Sequence, residues 1–225
     1  MAYPELYTNQ FGTTVGLWHL NGNSTDSSGN NLHGTNSNIT FSTANGKLGQ
    51  GAGGSGTTSY ITPGTSTLLQ VTTGDATWGF WGKVTTAGTN KVLFCRGAFQ
   101  VNGYYFQLNT SLPSTLSFRS NQAAAVQTVT TTNTVAADTW YHFAVVKSGT
   151  TVRIYLNGSE CAYSTSQTIT NPTASTRSFY ILSYDSGTDN PVAAVDEFFM
   201  TSTALTANQI RQIYAYQKGL LGRYA

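Results

Sequence analysis

Residues 139–158, which read TWYHFAVVKSGTTVRIYLNG, decide the fold. Across residues 140–147 successive side chains point to alternate faces, and this period of two is typical of a β-strand. A Ser-Gly turn follows, after which residues 152–156 alternate in the same way. The Asn-Gly dipeptide at the end suits the two positive φ angles of a type I′ hairpin turn. We therefore expect an antiparallel meander with one buried face and one wetter face, whose third strand follows that turn.

The composition of the 225-residue chain indicates an all-β protein. Charged residues make up only 9% of the chain, and its 13 tyrosines and 11 phenylalanines argue against disorder. A composition rich in Thr, Tyr, Val and Gly favours strands over helices. Because no internal repeat or linker is present, we predict a short N-terminal arm at residues 1–14 and a single domain at residues 15–225.

Short alternating segments separated by Gly or Asn recur along the rest of the chain, as they do in β-sandwiches and barrels. We predict further strands at residues 15–20, 39–41, 59–62, 75–84, 91–96, 104–108, 115–119, 126–129, 178–182 and 193–200. Thr206 and Gln209 read as a capping box that starts a short helix near residues 207–217, which Gly219 ends.

Five further motifs accompany the central hairpin along the chain: GLWHL at 16–20, DSSGN at 26–30, GKLGQG at 46–51, AVDEF at 194–198 and ALT at 204–206. In their order and spacing, the hairpin and these motifs resemble laminin-G-like (concanavalin A-like) jelly-roll domains. The resemblance implies an all-β, two-sheet antiparallel jelly-roll sandwich with one short C-terminal helix. It also implies that the Gly-dense residues 46–56 form a tight turn that leads into the strand at 59–62. It does not by itself assign a function, because this fold hosts many functions.

The charge and hydropathy of the sequence disfavour several functional classes. The net charge is +2 without a cluster of Lys and Arg, so we expect no nucleic-acid partner. No run of about 18 apolar residues is present, so we expect no membrane insertion. The N-terminus has neither the basic region nor the apolar core of a signal peptide. Cys95 and Cys161 could form a disulfide, but the missing secretion signal favours two buried free thiols.

Glycoside hydrolysis, which some relatives of this fold catalyse, requires two carboxyl groups that face one cleft. The sequence holds only three glutamates, Glu5, Glu160 and Glu197, and no strand carries acidic residues at alternate positions. Glu197 follows Asp196 directly, and adjacent residues of a strand face opposite ways. We therefore predict that the protein is not an enzyme. His142 lies in the central hairpin and is expected to be a buried, hydrogen-bonded histidine rather than a catalytic base.

Domains that resemble this chain often bind a calcium ion that links the first loop to the closing strand. The resemblance carries the metal-ligand role to Asp26 and Asp196, with backbone carbonyls near His33 or Gln50 as additional oxygen ligands. In the alternative interpretation, Asp26 caps its own turn and Asp196 accepts hydrogen bonds from N–H groups of a loop. The loop at residues 185–190, DSGTDN, has acidic spacing reminiscent of a calcium loop but lacks the distal Glu, so a solvated turn explains it better.

Sugar recognition requires an exposed aromatic ring beside amide and carboxylate groups. The loop that follows the predicted strand at 178–182 combines these groups. The predicted carbohydrate-binding residues are Tyr184, Asp185, Asp189 and Asn190. Tyr104 and Tyr105 with Asn102 form an alternative set, but because most of the 13 tyrosines must be strand residues, the hypothesis is kept only for the loop.

The leading hypothesis is a non-catalytic binding or structural module exposed on a surface. Its specific form is a bacteriophage virion protein that decorates the head or tail, because virion proteins need no export signal yet face the outside of the particle. Its partners would be other virion proteins or copies of itself, and host-surface glycans would be further ligands. One alternative is a free-standing, extracellular, calcium-dependent lectin. The third hypothesis is an enzyme that acts on polysaccharide.

Overall fold

The structure, a computed structural model, describes residues 13–56, 58–121, 126–185 and 187–220. The predicted N-terminal arm at residues 1–14 therefore lies almost wholly outside the described residues. The end of the predicted domain, residues 221–225, also lies outside them. Both domain boundaries stay predictions.

Strands dominate the described part of the chain, which also holds one α-helix. The strands are β1 (Thr14–Trp18), β2 (Thr35–Ser37), β3 (Ile39–Ser42), β4 (Gly51–Ser55), β5 (Tyr60–Gly64), β6 (Ala76–Thr86), β7 (Lys91–Ala98), β8 (Asn102–Leu108), β9 (Ser114–Asn121), β10 (Val126–Val135), β11 (Trp140–Ser148), β12 (Thr151–Leu156), β13 (Ser159–Glu160), β14 (Phe179–Ile181) and β15 (Val192–Thr201). The helix α1 spans Ala207–Leu220.

The strands form two antiparallel sheets, which confirms the predicted sandwich. The A sheet has eight strands in the order β13-β12-β11-β6-β15-β4-β3, with β1 also paired to β15. The B sheet has seven strands in the order β10-β9-β8-β7-β14-β5-β2. The central stretch of the sequence forms β11 and β12, which pair from Phe143 with Leu156 to Ser148 with Thr151.

The hydrophobic core lies between the two sheets and is dominated by aromatic rings. Trp78 and Phe80 of β6 contact Phe94 of the B sheet, with ring centroids 5.3 Å and 6.3 Å apart. Phe80 also stacks on Phe143 and Phe198 of the neighbouring strands. Each of these buried side chains contributes roughly 2–3 kcal/mol through the hydrophobic effect. The alternating aromatic segments of the sequence therefore become the central strands.

The outer face of the A sheet is covered by α1, so both faces of β11 are buried. Ala144 and Val146 of β11 pack against Ile210 and Ile213 of the helix. The expectation of a wetter face on this strand is therefore wrong. Alternation along a strand shows that it has two faces, but it does not show that a helix from elsewhere in the chain covers the second face.

The capping box that the sequence predicts starts α1. The Thr206 N–H donates to Gln209 Oε1 at 2.8 Å, and the Gln209 N–H donates to Thr206 Oγ1 at 3.3 Å. The helix does not end at Gly219 but continues to Leu220. Glycine ends a helix when it adopts a positive φ, and Gly219 does not. No helix in the described ranges has the length and apolar character needed to cross a membrane.

The Gly-dense segment forms a strand, β4, where the sequence predicts a turn. Its glycines are required because other backbone and side-chain atoms come very close. A Cβ on Gly53 would lie 2.2 Å from the Asn45 Nδ2, and one on Gly51 would lie 2.2 Å from the Asn45 carbonyl oxygen. β4 pairs with β3 on one side and with β15 on the other. Glycine is rare in strands, which explains the wrong prediction.

One edge of β15 is shared by two strands. Residues 192–195 pair with β4, whereas residues 198–201 pair with β1. Between these segments, the pairing of β15 with β6 is shifted at a β-bulge, where Glu197 adopts a φ of 52°. Strict alternation of side chains therefore does not hold at Asp196 and Glu197. β1 ends and β4 begins at this point of the edge, and the polar loops attached to them border a cleft.

Candidate functional site

Asp26, a predicted metal ligand, lies in the loop after β1 with both carboxylate oxygens engaged. Oδ1 accepts hydrogen bonds from the N–H groups of Leu17 and Ser28, at 3.0 Å and 2.8 Å. Oδ2 accepts from the Ser28 hydroxyl at 2.8 Å and from the Leu32 N–H at 2.9 Å. These bonds tie the loop to β1, which is the arrangement of a turn cap.

Asp196, the second predicted metal ligand, is buried at the bulge of β15. Its Oδ2 accepts hydrogen bonds from the N–H groups of Lys47 and Leu48, both at 2.7 Å, and so fixes the turn before β4. Its Oδ1 has no hydrogen-bond partner among the residues that the structure describes. Burial, and next the charge of Glu197, raises the pKa of Asp196 to about 8. The carboxyl group is therefore mostly protonated at neutral pH.

A cleft of about 550 Å³ opens between the end of β1 and the start of β4. His19 and Glu197 meet in it, with His19 Nδ1 2.8 Å from Glu197 Oε2 and the glutamate side chain only 1% exposed. Burial raises the pKa of Glu197, and the hydrogen bond and charge of His19 oppose that shift. The other described lining residues are Asn21, Asn23, Thr25, Ser27, Leu48 and Gly49. Glu197 is the only carboxylate among these residues, and it is already engaged.

Calcium requires roughly six to eight oxygen ligands. Within the described ranges, no group of three or more His, Cys, Asp or Glu side chains could hold a metal ion. Asp26 and Asp196 accept hydrogen bonds in the way that the alternative interpretation expects. Near Asp26, the ring nitrogen of His33 accepts a hydrogen bond from the Asp26 N–H at 3.1 Å. Calcium binding at the two aspartates stays a prediction.

A second depression lies on the outer face of the B sheet. Along β8 the side chains of Tyr105 and Gln107 alternate with core side chains and therefore face outwards. Arg119 of β9 is paired with Tyr105 across the strands. Together with Val92 of β7, these side chains form the floor of a depression of about 300 Å³, which we call the B-sheet groove.

The rim of the B-sheet groove carries two aromatic side chains. Phe99 occupies the tip of the β7–β8 hairpin and is 45% exposed. Tyr184 extends from the loop after β14, and its hydroxyl accepts a hydrogen bond from the Phe99 N–H. The ring of Tyr184 meets Tyr105 edge to face, with centroids 5.8 Å apart. Tyr184 thus connects the hairpin tip, the loop and the floor.

The loop between β14 and β15 is held against the B sheet by its own backbone. The Asp189 carbonyl accepts a hydrogen bond from the Val92 N–H at 2.9 Å. The Asp189 carboxylate lies on the rim with its side chain 51% exposed, 3.9 Å from the Lys91 Nζ. The Tyr184 N–H donates to the Thr188 carbonyl at 3.0 Å. A rim that is fixed before a ligand binds reduces the entropy cost of binding.

The structure brings two of the four predicted carbohydrate-binding residues together. Tyr184 and Asp189 both line the B-sheet groove. Asp185 instead forms an ion pair with Arg177. Asn190 is 7% exposed, and its Nδ2 donates to a backbone carbonyl at 2.5 Å. The role of these four residues in sugar binding stays a prediction.

The alternative set of Asn102, Tyr104 and Tyr105 is also divided. Tyr105 belongs to the floor of the groove. Tyr104 points into the core, where its hydroxyl donates to the Leu69 carbonyl at 2.9 Å. Asn102 Oδ1 accepts a hydrogen bond from the Ala98 N–H at 3.2 Å and so supports the hairpin.

Phe99, Gln107 and Arg119 line the groove but are absent from the sequence prediction. The alternation of β8 and β9 places Gln107 and Arg119 on one face, but only the register between these strands shows that Arg119 lies beside Tyr105. Phe99 comes shortly before an Asn-Gly dipeptide that reads as a hairpin turn. The turn is formed two to three residues earlier, where the Val101 N–H donates to the Ala98 carbonyl at 3.0 Å.

His142 and the two cysteines line neither depression. His142 is buried between Trp81 and Tyr214, with ring centroids 5.4 Å and 6.0 Å away. Neither of its ring nitrogens has a hydrogen-bond partner in the described part of the chain, which contradicts the expectation of a hydrogen-bonded histidine. Burial lowers the pKa of His142 to about 3, so the ring is neutral at physiological pH. Cys95 and Cys161 are buried free thiols, as the sequence favours.

Several solved structures share this fold. Domain 4 of an extracellular GH43 arabinanase from Geobacillus stearothermophilus, in complex with arabinotriose, matches with a TM-score of 0.73 and 19% identity over 91% of this chain and 100% of that chain. The binding domain of Paraclostridial Mosquitocidal Protein 1 matches with a TM-score of 0.74 and 15% identity, over 91% of this chain and 52% of that chain. The botulinum neurotoxin serotype D ligand binding domain in complex with N-acetylneuraminic acid matches with a TM-score of 0.68 and 11% identity, over 91% of this chain and 51% of that chain. At these identities the likeness is one of fold.

No curated protein matches the sequence of this chain. The family model of the Concanavalin A-like lectin/glucanases superfamily does match it, over residues 54–211. These residues run from the end of β4 to the first turn of α1 and make up well over half of the chain. The chain therefore belongs to the Concanavalin A-like lectin/glucanases superfamily.

Proposed function

We propose that the protein is a non-catalytic carbohydrate-binding module and that the B-sheet groove is its binding site. The observation that carries the proposal is that the exposed ring of Phe99 and the half-exposed Asp189 carboxylate line one groove whose floor includes Tyr105 and Arg119. A sugar ring has an apolar C–H face and a periphery of hydroxyl groups. It therefore requires an aromatic surface next to hydrogen-bonding groups, which the groove provides.

The family and its structural relatives support carbohydrate as the class of ligand. The arabinanase domain is in complex with arabinotriose, and the serotype D domain is in complex with N-acetylneuraminic acid. These sugars are ligands of those proteins. For this chain they support a glycan as the class of ligand. Which sugar binds has to be inferred from the residues of the groove.

The cleft between β1 and β4 is the larger of the two depressions, but no Phe, Tyr or Trp is among the described residues that line it, and its carboxylate and two of its amide oxygens are engaged. Glu197 is paired with His19. The Asn21 Oδ1 accepts a hydrogen bond from the backbone of the turn before β4 at 2.9 Å, and the Asn23 Oδ1 accepts one from the Thr25 N–H at 2.9 Å. In the B-sheet groove, by contrast, an aromatic face and a half-exposed carboxylate remain accessible, and this contrast favours the groove.

The number of carboxylates in each depression favours sugar binding without hydrolysis. Glycoside hydrolysis uses two carboxyl groups on either side of the scissile bond. Asp189 is the only carboxylate among the described residues that line the groove, and Glu197 is the only one among those that line the cleft. A panel of polysaccharides incubated with the protein should therefore release no products, and release of reducing sugar would contradict the non-catalytic part of the proposal.

The proposal extends to the place where the module works, which is the surface of a bacteriophage particle. Support comes from a composition with only 9% charged residues and from the likeness to toxin binding domains. Immunogold labelling of purified particles should then decorate the head or tail. Antigen found only free in the culture fluid would favour the alternative, an extracellular lectin that acts on its own.

A glycan array tests the binding function and the site together. Phe99→Ala removes the exposed ring but keeps the backbone N–H that reaches Tyr184. Leu68→Ala is the matched control, because Leu68 is 49% exposed and does not line the groove. We expect saturable binding of the wild type to a subset of glycans, weakened about tenfold in Phe99→Ala and unchanged in Leu68→Ala. An array without saturable binding, or equal binding by Phe99→Ala and the wild type, would refute the proposal.

A further inference from the structure

Arg119 lies in the B-sheet groove, and its charge faces the Tyr105 ring rather than a carboxylate. Its Nη1 donates to the Tyr105 hydroxyl at 3.2 Å, and its guanidinium carbon lies 5.6 Å from the centre of the Tyr105 ring. Within the described ranges no carboxylate forms an ion pair with Arg119. The side chain is partly exposed and lines the groove.

A comparison with Arg96 shows how an arginine is held when its role is structural. Arg96 is buried, and its terminal nitrogens donate to the carbonyl oxygens of Ser66 at 2.6 Å, Thr65 at 2.9 Å and Ser175 at 3.3 Å. Arg119 makes a single hydrogen bond of this kind, to a neutral hydroxyl. A guanidinium carries five N–H donors in a planar fork. The Nε of Arg119 is buried without a partner, and apart from the bond to Tyr105 its terminal N–H groups form no hydrogen bond within the described residues, so these groups remain available to a ligand.

The charges in the groove also favour an anionic ligand. The Asp189 carboxylate on the rim is matched by Lys91, at 3.9 Å. The positive charge of Arg119 is therefore left unbalanced. The neighbouring Tyr105 does not supply an anion, because burial raises the pKa of its hydroxyl to about 12. An anionic group on the ligand would balance the charge.

We propose that the sugar bound in the B-sheet groove carries a carboxylate group, as uronic and sialic acids do, and that Arg119 binds this group. The inference rests on the proposed function of the groove as a glycan site. The planar fork of arginine matches the two oxygens of a carboxylate, and it gives stronger hydrogen bonds to an anion than to a hydroxyl. Tyr105 orients the guanidinium from one side, and Phe99 offers its ring to the apolar face of the sugar.

The test is calorimetric titration with pairs of sugars that differ in the carboxylate. One pair is trigalacturonic acid and its carboxyl-reduced form, and the other is sialyllactose and lactose. Arg119→Gln removes the charge, Arg119→Lys keeps the charge without the fork, and Arg153→Gln is the control, because Arg153 lies on the A sheet and pairs with Glu160. The unfolding temperature of each variant shows that it is folded.

We expect the acidic member of at least one pair to bind roughly tenfold to a hundredfold more tightly than its neutral partner. Arg119→Gln should abolish that preference, Arg119→Lys should retain a small part of it, and Arg153→Gln should leave it intact. If acidic and neutral sugars bind equally and Phe99→Ala weakens both, the groove binds neutral glycans and the carboxylate proposal is wrong, although the proposed function stands. If no sugar binds, including those of the glycan array, both proposals fail.

Discussion

Replacement of His142 by leucine should remove much of the sensitivity of the fold to mild acid. The imidazole is buried between two aromatic rings, and burial lowers its pKa from 6.5 to about 3. Below about pH 6.5 the unfolded chain binds a proton at this position that the folded protein does not bind. The free energy of unfolding therefore falls as the pH falls, until the folded-state pKa is reached.

The size of this effect follows from the two pKa values. At about pH 4.5 the imidazole of the folded protein is still neutral, whereas that of the unfolded chain is almost fully protonated. The difference between its ionisation in the two states lowers the free energy of unfolding by about 3 kcal/mol relative to neutral pH. The His142→Leu variant has no titratable group at this position, and its aliphatic side chain leaves no unpaired ring nitrogen in the core.

Urea unfolding followed by tryptophan fluorescence measures the effect, because Trp78 and Trp81 are buried in the folded protein. The quantity of interest is the change in unfolding free energy between neutral pH and about pH 4.5, compared between the wild type and His142→Leu. Carboxyl groups titrate in both proteins, so their contribution cancels in the comparison. We expect the wild type to lose about 3 kcal/mol more than the variant. Equal losses would show that His142 is protonated or hydrated in the folded state and would refute the reasoning.

Three further predictions concern other buried positions. Burial raises the pKa of Asp196 from 3.8 to about 8. Between these two pKa values the folded state keeps a proton at Asp196 that the unfolded chain has lost. Stability should therefore fall as the pH rises from about 5 to 8, and thermal unfolding of Asp196→Asn should show a flatter profile; identical profiles would contradict the assignment. Asp26→Ala leaves three backbone N–H groups without their acceptor and should cost about 3 kcal/mol or more in chemical unfolding, with calcium or with a chelator. A loss seen only with calcium would instead establish the predicted metal ion. Gly79→Ala places a Cβ 2.3 Å from the Phe199 ring and should destabilise the protein by about 1–3 kcal/mol, whereas Gly74→Ala, with nothing within 4 Å, should cost far less; equal unfolding temperatures would refute the packing argument.

The fold is predictable from the sequence where its cause is local. The period of two in residues 140–147 and 152–156 specifies a hairpin, and both strands form there. The capping box at Thr206 also starts the helix where the sequence places it. These features depend on residues within a few positions of each other. Local pattern and structure therefore agree.

The sequence predictions that are wrong concern places where segments far apart in the sequence meet. The outer face of β11 is buried because α1, more than sixty residues later, lies across it. The Gly-rich residues of β4 form a strand because two neighbouring strands and Asn45 approach them closely. Likewise, the sequence of its own strand does not show that the buried ring of His142 lacks a hydrogen-bond partner among the described residues. Each of these outcomes depends on tertiary contacts that no local window contains.

The candidate site likewise has residues that a local pattern identifies and residues that only tertiary contacts bring together. Tyr184 and Asp189 are found from the chemistry of a single loop, and both reach the groove. Phe99 and Arg119 come from other segments, and only the register of β7, β8 and β9 brings them beside that loop. Asp185 has the same chemistry as Asp189 in the sequence, but an ion pair with Arg177 holds it elsewhere. Composition of a loop therefore identifies candidates, and strand register selects among them.

The small size of the groove bears on where a module of this kind would work. A depression of about 300 Å³ is at the lower end of ligand sites. At roughly 0.3 kcal/mol per non-hydrogen atom, a single acidic sugar ring of about 13 such atoms would gain about 4 kcal/mol, which corresponds to a millimolar Kd. Many copies displayed together would raise the overall affinity by roughly 10²–10⁴-fold when their spacing matches that of the glycans. A particle surface supplies such an array, so weak binding at one groove and the proposed virion location support each other.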